Sequence, residues 1–304
     1  MKILIITGFL GAGKTRFIKR MSEVLKRDFV IVENEFSKID VDSKKLKSEN
    51  KDMKIFELSE GCICCSLNLD FTESLLTIKN TLNPDYLVVE PSGIAMPTQI
   101  IAKLKNILYD DIKLISPIAI IDANAYKNQQ QEFEIYFKDQ LHASRNVIIS
   151  KSEHLSFDDF LRIKEELNIK EDKRFFFKHY DNFSKDEFLE LLNEELDLDH
   201  SNNFKYRKIE PKKEEELQNI SFEKTKFINL AQVVKLLEDT IRGRFGKIIR
   251  AKGFINLKKE CVQFDLVDKN YAIKGAKDQK TGFVFIGKNL DKEGLREIVC
   301  SLKP

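Results

Sequence analysis

Apolar residues in the first two thirds of the chain follow two patterns that alternate. Short continuous apolar runs are typical of strands buried on both faces, and they predict strands at Lys2–Thr7, Phe29–Glu33, Lys54–Leu58, Tyr86–Glu90, Leu114–Ile121, Val147–Ser150 and Arg174–Lys178. The segments between them carry apolar residues at helical spacing, which predicts helices at Arg16–Lys26, Ser74–Thr81, Pro97–Leu108, Gln131–Ser144 and Phe157–Leu167. Strands that alternate with helices form a mostly parallel sheet covered on both faces. Residues 1–196 are therefore expected to form a doubly wound α/β domain.

The pattern changes after this domain. Residues 197–220 are polar and densely charged, and they include the run Lys212-Lys213-Glu214-Glu215-Glu216, so they are expected to form a linker. From residue 221 to residue 304 regular apolar patterns return and predict a small C-terminal α+β domain. Its expected elements are a helix at Leu230–Ile241, strands at Lys247–Leu257, Val262–Val267 and Gly282–Ile286, and a last helix at Asp291–Ser301.

Length and composition indicate a globular protein with a substantial core. The 304 residues are 42% hydrophobic and 33% charged, and the net charge is +2. So balanced a charge indicates no basic surface for nucleic acid or membrane, and neither partner is expected. No apolar run reaches the length of a membrane span, and the amino terminus enters the first predicted strand at once, which leaves no room for a signal peptide. The expected location is the cytoplasm, where the five cysteines stay reduced.

The strongest chemical signal is the run Gly8-Phe9-Leu10-Gly11-Ala12-Gly13-Lys14-Thr15, which fits G-x-x-x-x-G-K-[ST]. It follows a predicted strand and precedes a predicted helix, which is the context that a phosphate-binding loop requires. Glycines let backbone N–H groups approach phosphate oxygens, Lys14 would reach the β- and γ-phosphates, and Thr15 would ligate Mg²⁺. The alternative is a glycine-rich turn with a solvated lysine. The candidate nucleotide-binding residues of this segment are Gly8, Gly11, Ala12, Gly13, Lys14, Thr15 and Arg16.

Two more polar positions follow apolar strands. Glu90 ends its strand at the position of a Walker B carboxylate, which holds Mg²⁺ or orients the water bound to it; a helix cap or a structural pair is the alternative. Ser150, Lys151 and Glu153 stand where GTPases carry Asn/Thr-Lys-x-Asp, whose carboxylate accepts hydrogen bonds from the guanine N1–H and 2-amino group. Glutamate is one methylene longer than aspartate, so this match is weaker, and an ordinary lysine-containing loop is the alternative.

Three closely spaced cysteines, Cys62, Cys64 and Cys65, form the other chemical signal. In an extended segment Cys62 and Cys64 face one side, and in a helical turn Cys62 and Cys65 do, so two thiolates can reach one ion in either case. Thiolates at this spacing favour Zn²⁺, Co²⁺ or Cu⁺ over hard ions. Buried thiols and a redox pair are the alternatives. Cys261 and Cys300 lie in apolar patterns and are predicted to be core residues, and none of the four histidines is assigned to a metal.

Together these motifs resemble the CobW-type GTPases, the group that also contains HypB and UreG, the nickel-insertion GTPases of hydrogenase and urease maturation. The resemblance covers nearly the whole chain, and the order and spacing of the motifs agree with the family pattern. The matching segments are the phosphate loop at residues 8–15, a switch-like segment at residues 33–40, Gly-Cys-Ile-Cys-Cys at residues 61–65, Glu-Pro-Ser-Gly at residues 90–93, and two carboxy-terminal signatures at residues 250–254 and 285–290.

The resemblance implies a P-loop NTPase fold and a GTP-dependent metallochaperone. Mg-GTP would close the switch segment and assemble a thiolate site for Zn²⁺ or Co²⁺, and slow hydrolysis to GDP would release the metal to a client metalloprotein or cofactor-biosynthesis enzyme. The resemblance also places Glu35 beside the cysteines as a metal ligand. It places Asp40 near Mg²⁺ as a catalytic residue, together with Lys14 and Glu90. The protein would act as a monomer or as a nucleotide-dependent dimer.

The chain departs from the family pattern at several positions. Arg16 replaces a second threonine, Ser37 replaces the switch glycine, and Ser150 and Glu153 change the base-recognition element, which is expected to slow hydrolysis or relax the preference for GTP. The linker holds only His200, so a histidine-rich metal reservoir is not expected there. Two other functions fit the same motifs: an NTP-driven activator or assembly factor with a structural zinc, and a P-loop small-molecule kinase.

Overall fold

A computed structural model describes the protein at residues 1–33, 55–57, 69–108, 111–196, 217–223, 225, 227, 229–257, 261–267, 269–276 and 281–300. The described residues form two compact units. The first lies within residues 1–196 and the second within residues 217–300.

The first unit is built on a parallel sheet. Its described strands are β1 (Lys2–Thr7), β2 (Val30–Glu33), β3 (Ile55–Glu57), β4 (Tyr86–Glu90), β5 (Lys113–Asp122), β6 (Asn146–Ser150) and β7 (Arg174–Phe175). They lie in the order β3-β2-β4-β1-β5-β6-β7, and each neighbouring pair runs parallel. The carboxyl ends of parallel strands meet at one edge of a sheet, where ligands of such folds bind.

Helices cover both faces of this sheet. The described helices are α1 (Lys14–Leu25), α2 (Leu69–Leu82), α3 (Pro97–Leu104), α4 (Tyr126–Glu132), α5 (Glu134–Ala143), α6 (Phe157–Glu166) and α7 (Lys185–Asn193). Alternate residues of β1 enter separate cores: Leu4 packs with Phe17 of α1 and Phe188 of α7, and Ile3 packs with residues of α2 and α3. Because successive strand residues point to opposite faces, the sheet is buried on both sides. The predicted doubly wound α/β fold is confirmed.

Several predicted elements of the first unit differ in the structure. Helix α2 begins at Leu69 and not at the expected Ser74. The helix expected at Gln131–Ser144 corresponds to α5, and a separate helix that was not predicted, α4, precedes it; the two meet at Phe133, where φ is −132° and ψ is 40°. Those angles are not helical, so the hydrogen-bonded ladder breaks there. The strand expected to continue to Lys178 ends at Phe175, and the chain then leaves the sheet edge.

The second unit pairs an antiparallel sheet with two described helices. The described strands are β8 (Gln218–Phe222), β9 (Lys247–Asn256), β10 (Cys261–Val267), β11 (Asn270–Ala276) and β12 (Gly282–Lys288), in the order β11-β10-β9-β12-β8, and the helices are α8 (Leu230–Ile241) and α9 (Lys292–Cys300). Leu237 of α8 and Leu295 of α9 share one buried cluster with Phe264 and Phe283 of the sheet. The expected α+β arrangement is confirmed. β8 begins inside the segment 197–220 predicted as a linker, and neither β8 nor β11 was predicted.

Candidate functional site

The phosphate-loop sequence connects β1 to α1 at the carboxyl edge of the sheet. Its backbone depends on glycine, because φ is 147° at Gly8 and 90° at Gly13. A Cβ at Gly8 would lie 2.2 Å from the carbonyl oxygen of Ile120 on β5, so no side chain fits there. Helix α1 starts directly after Gly13, which brings its first N–H groups and the positive end of its dipole to this loop. The arrangement is one that holds an anion.

The Lys14 side chain folds back onto the loop. Only 7% of the residue is exposed. Its Nζ donates a hydrogen bond to the carbonyl oxygen of Gly8 at 3.0 Å and lies 3.4 Å from that of Phe9. These two backbone oxygens fix a positive charge beside the loop, where a phosphate group would meet it.

Thr15 and Glu90 meet beside the loop although they lie far apart in the chain. The Thr15 hydroxyl Oγ1 lies 2.9 Å from Glu90 Oε1 and 3.1 Å from Oε2. Strand β4 carries Glu90 and pairs directly with β1, so the end of β4 lies next to the start of the phosphate loop. A second carboxylate, Glu33, ends β2 in register with Glu90, and only 6% of it is exposed. Hydroxyl and carboxylate oxygens are the hard donors that Mg²⁺ prefers, so the residues present fit a magnesium ion.

The loop after β6 is tied to the phosphate loop. The Ser150 hydroxyl lies 2.6 Å from the carbonyl oxygen of Ala12 and 3.2 Å from that of Ile121. Lys151 has a positive φ of 54°, and its Nζ lies 2.5 Å from Oδ2 of Asp122, a residue that is 3% exposed at the end of β5. Asp122 Oδ1 also accepts the backbone N–H of Asn124 at 2.9 Å. The lysine is therefore held by a buried carboxylate, a contact that the sequence analysis did not anticipate.

Arg16 connects the phosphate loop to two carboxylates. Its Nη1 lies 3.3 Å from Glu153 Oε1, and its Nη2 lies 2.7 Å from Asp181 Oδ2. A hydrogen bond from its own backbone N–H, with His179 and Arg16 nearby, holds the pKa of Glu153 below its usual value. Glu153 therefore stays ionised at neutral pH, and a negative charge stands at the position expected to read the base.

His179 and Tyr180, which follow β7, complete this part of the site. His179 is 3% exposed, and its ring stacks on that of Tyr180 with 4.1 Å between the ring centroids. A Cβ at Gly13 would lie 3.5 Å from the Tyr180 hydroxyl oxygen, so the Tyr180 hydroxyl lies beside the phosphate loop. Burial raises the pKa of Tyr180 to about 12, which keeps the phenol neutral. The sequence analysis missed both residues, although they follow a strand at the carboxyl edge of the sheet, where ligands bind.

The predicted switch and metal residues lie outside the described part of the chain. They are Glu35, Asp40, Cys62, Cys64 and Cys65. Their roles stay predictions.

The expectation that both cysteines of the second unit are core residues is confirmed for Cys261 and only in part for Cys300. Cys261 is buried on β10. Cys300 on α9 is partly buried against the apolar cluster that contains Leu295 and Phe283. In the part of the chain that the structure describes, no helix is both long enough and apolar enough to cross a membrane.

Two family profiles match the chain. A profile described as the nucleotide-binding domain of CobW/HypB/UreG matches residues 2–177. A profile described as the C-terminal domain of the cobalamin synthesis protein CobW matches residues 217–302. The two matches fall on the two structural units.

Curated relatives match parts of the chain. The zinc chaperone CobW of a Sinorhizobium species is 27% identical over 193 residues, which cover 54% of this chain and 54% of that protein. The zinc chaperone YeiR of Escherichia coli K12 is 30% identical over 152 residues, covering 49% and 46%. The zinc-regulated GTPase metalloprotein activator 1 of Dictyostelium discoideum is 28% identical over 156 residues, covering 44% and 32%. The chain thus spans about half the length of the first two relatives.

Proposed function

The chain belongs to the family of CobW-type P-loop GTPases, and from this premise we propose that it binds Mg-GTP, hydrolyses it slowly, and couples this cycle to the binding and release of a transition metal. Nucleotide binding is supported above all by the contact between Thr15 and Glu90, in which Thr15 Oγ1 lies 2.9 Å from Oε1 and 3.1 Å from Oε2. This contact lies beside the loop on which Lys14 is held. The metal part rests on the thiolate chemistry of three cysteines and on relatives named zinc chaperones.

The phosphate loop would bind the β- and γ-phosphates through backbone N–H groups at the start of α1. Gly11, Ala12 and Gly13 would contribute backbone groups to this site, and Lys14 would add the positive charge. The loop glycines keep the backbone close to the phosphate oxygens. These donors would stabilise the charge that develops on the γ-phosphate.

Thr15 and Glu90 would hold Mg²⁺, the former through its hydroxyl oxygen and the latter through its carboxylate, directly or by orienting a bound water. The bound ion would supply charge neutralisation at the β- and γ-phosphate oxygens. By family resemblance Asp40 joins this part of the site. Arg16 and Ser37 replace family residues here, so we expect the intrinsic rate of hydrolysis to be low.

The base would lie beside Glu153, whose carboxylate accepts hydrogen bonds from N1–H and the 2-amino group of guanine. Ser150 anchors the loop that carries Glu153 to the phosphate loop, at 2.6 Å from the Ala12 carbonyl oxygen. Lys151 is held against Asp122. The site therefore favours GTP and GDP over adenine nucleotides.

The metal cargo would bind to Cys62, Cys64 and Cys65 with Glu35 as a further ligand. Three thiolates suit Zn²⁺ or Co²⁺, and the names of the relatives favour zinc. A triphosphate that binds one conformation of the switch segment more tightly than the other would bias the metal site in the same direction. A reducing cytoplasm would keep the thiols able to bind metal, and the recipient would be a client metalloprotein or a cofactor-biosynthesis enzyme.

A second function is favoured by one of the relatives, which is named a metalloprotein activator. In that case the chain would activate a client with the energy of the nucleotide, and zinc on the cysteines would be structural. Metal affinity would then be independent of nucleotide.

The test of the nucleotide part compares wild type with Lys14→Ala. We expect the variant to lose at least about tenfold in affinity for Mg-GDP, because a charge-assisted hydrogen bond to phosphate is lost, and to lose phosphate release from GTP. The measurements are calorimetric titration and a phosphate-release assay on the full chain. Lys170→Ala is the matched control, since Lys170 is exposed in the loop between α6 and β7 at the opposite edge of the sheet. Equal affinity in Lys14→Ala and wild type would exclude the phosphate-loop assignment.

A further inference from the structure

A second group of polar and charged side chains lies beside the phosphate loop, on the side of the loop that follows β6. It consists of Arg16, Glu153, His179 and Asp181, which we call the base-side cluster. The possible ligand atoms of Glu153, His179 and Asp181 all lie within 4.8 Å of one another. Arg16 contacts both carboxylates.

The hydrogen bonds of His179 determine which ring nitrogen carries the proton. Its Nδ1 accepts the backbone N–H of Asp181 at 3.2 Å, so the hydrogen of the neutral ring is on Nε2. Burial lowers the pKa of His179, which favours that neutral form. Nε2 is buried, and no residue in the described part of the chain forms a hydrogen bond with it, but it lies 3.5 Å from Glu153 Oε1. A buried donor thus lies close to the carboxylate that stands at the base position.

Arg16 approaches the same oxygen of Glu153. Its Nη1 is 3.3 Å from Oε1, while its Nη2 is 2.7 Å from Asp181 Oδ2. Oε1 therefore lies beside a guanidinium group and close to the imidazole Nε2. Glutamate has one more rotatable bond than the aspartate usual at this position, so ordering its side chain on ligand binding costs more conformational entropy. Contacts that already hold the side chain reduce this cost.

Glu153, His179 and Asp181 are also residue types that bind metal ions. A histidine and two carboxylates can bind zinc, but Arg16 already places a positive charge against both carboxylates. A divalent cation would face that charge and would have to displace it. The cluster suits a neutral ligand edge that donates hydrogen bonds better than it suits a cation.

We propose that His179 is a positioning residue for base recognition: its Nε2–H and Arg16 hold Oε1 of Glu153, so that the carboxylate is oriented to accept the two adjacent N–H groups of a guanine edge. The proposal rests on the nucleotide-binding function proposed above and adds a residue that determines base specificity. Adenine offers an acceptor at N1 instead of a donor, so a well-oriented carboxylate excludes it.

The test measures affinities of the full chain for GDP and ADP, both with Mg²⁺, by calorimetry. His179→Phe keeps an aromatic ring against Tyr180 but removes the polar contact with Glu153, and we expect the ratio of GDP to ADP affinity to fall about tenfold, the effect expected when a donor beside a charged acceptor is lost. His179→Gln retains an N–H donor of similar reach, and we expect it to keep most of the ratio. His154→Gln is the matched control, because His154 is exposed and next to Glu153 in the chain.

A double-mutant cycle with Glu153→Gln separates positioning from general damage. If His179 acts through Glu153, then His179→Phe changes the GDP to ADP ratio little when Glu153→Gln is already present. This readout also applies if His179→Phe lowers stability, since a merely structural effect would lower both affinities together.

Three results would overturn the proposal, and they are distinguishable. If wild type prefers GDP and His179→Phe keeps the same ratio, the inference is wrong while the proposed function stands. If wild type binds neither nucleotide, the proposed function falls and the inference with it. If Cys64→Ala still binds Zn²⁺ and His179→Phe removes that binding, the cluster is a metal site.

Discussion

At the scale of single residues, the Thr15 hydroxyl has the most clearly defined proposed role, which is to bind Mg²⁺. It lies within hydrogen-bond distance of both Glu90 oxygens, and a serine would provide the same oxygen. We expect Thr15→Ala to need about tenfold more Mg²⁺ for half-maximal GTP hydrolysis, the effect typical of changes around a bound metal. Thr15→Ser should stay close to wild type. The measurement is phosphate release as a function of Mg²⁺ concentration, and an unchanged requirement in Thr15→Ala would remove Thr15 from the magnesium site.

Local sequence determines how far single residues could be predicted. The phosphate loop and Glu90 were identifiable because their chemistry depends on a short motif or on the end of one apolar strand. Their contact supports that interpretation. The pairs Lys151–Asp122 and Arg16–Asp181 were not identifiable, since each joins segments far apart in the chain that meet only through the strand order. His179 was left without a role for the same reason.

At the scale of elements, α5 holds the segment that follows Glu90. Asp139 of α5 accepts hydrogen bonds from both the backbone N–H and the hydroxyl of Thr98 in the first turn of α3. The adjacent Gln140 places Nε2 3.1 Å from the carbonyl oxygen of Gly93, three residues beyond Glu90. The position of the β4–α3 loop therefore depends on buried polar contacts with α5, and Asp139 itself is fully buried.

Burial raises the pKa of Asp139 to about 6, against the hydrogen bonds from Thr98, which lower it. A carboxyl group whose pKa is raised on folding stabilises the protein at low pH and loses that contribution as the pH rises through the folded pKa. We therefore expect the free energy of unfolding of wild type, relative to Asp139→Asn, to fall by about 2 kcal/mol between pH 4 and pH 7. Urea unfolding of both proteins at a series of pH values measures this difference in the free energy of unfolding.

Asp158→Asn, at an exposed position of α6, is the control for this pH series. Its stability relative to wild type should not show the same slope. A wild-type curve that runs parallel to that of Asp139→Asn would mean that Asp139 has the same pKa in the folded and unfolded chain.

Elements with clear apolar periodicity were predicted within a few residues, and weaker ones were not. Helix α7 was missed even though Ser184 and Glu187 form the S-x-x-E capping box in front of it, a signal that was present in the sequence. The break at Phe133 was not predictable, because apolar spacing continues through it. Strand β11 was missed because none of its residues is buried, so it lacks the apolar run that marks a strand.

At the scale of the whole molecule, the proposed function requires a nucleotide site and a thiolate metal site in one protein. The nucleotide site is built from described residues of the first unit, and the metal site is a prediction from residues outside them. Only a linkage between the two sites makes the protein a metallochaperone, because a nucleotide shifts metal affinity solely through its different affinity for two conformations. Sequence motifs indicate the two sites, but a coupling free energy is a property of the assembled chain.

The measurement that tests this coupling most directly is a competition titration of Zn²⁺ and Co²⁺ into the reduced full chain. It is made without nucleotide, with Mg-GDP and with a non-hydrolysable Mg-GTP analogue, and Cys64→Ala serves as the variant that removes a ligand. If the two sites are coupled, Zn²⁺ affinity rises with the triphosphate alone, and Cys64→Ala loses most metal affinity while it still binds nucleotide. Equal Zn²⁺ affinity in all three nucleotide states would contradict the account and would make the cysteine site structural.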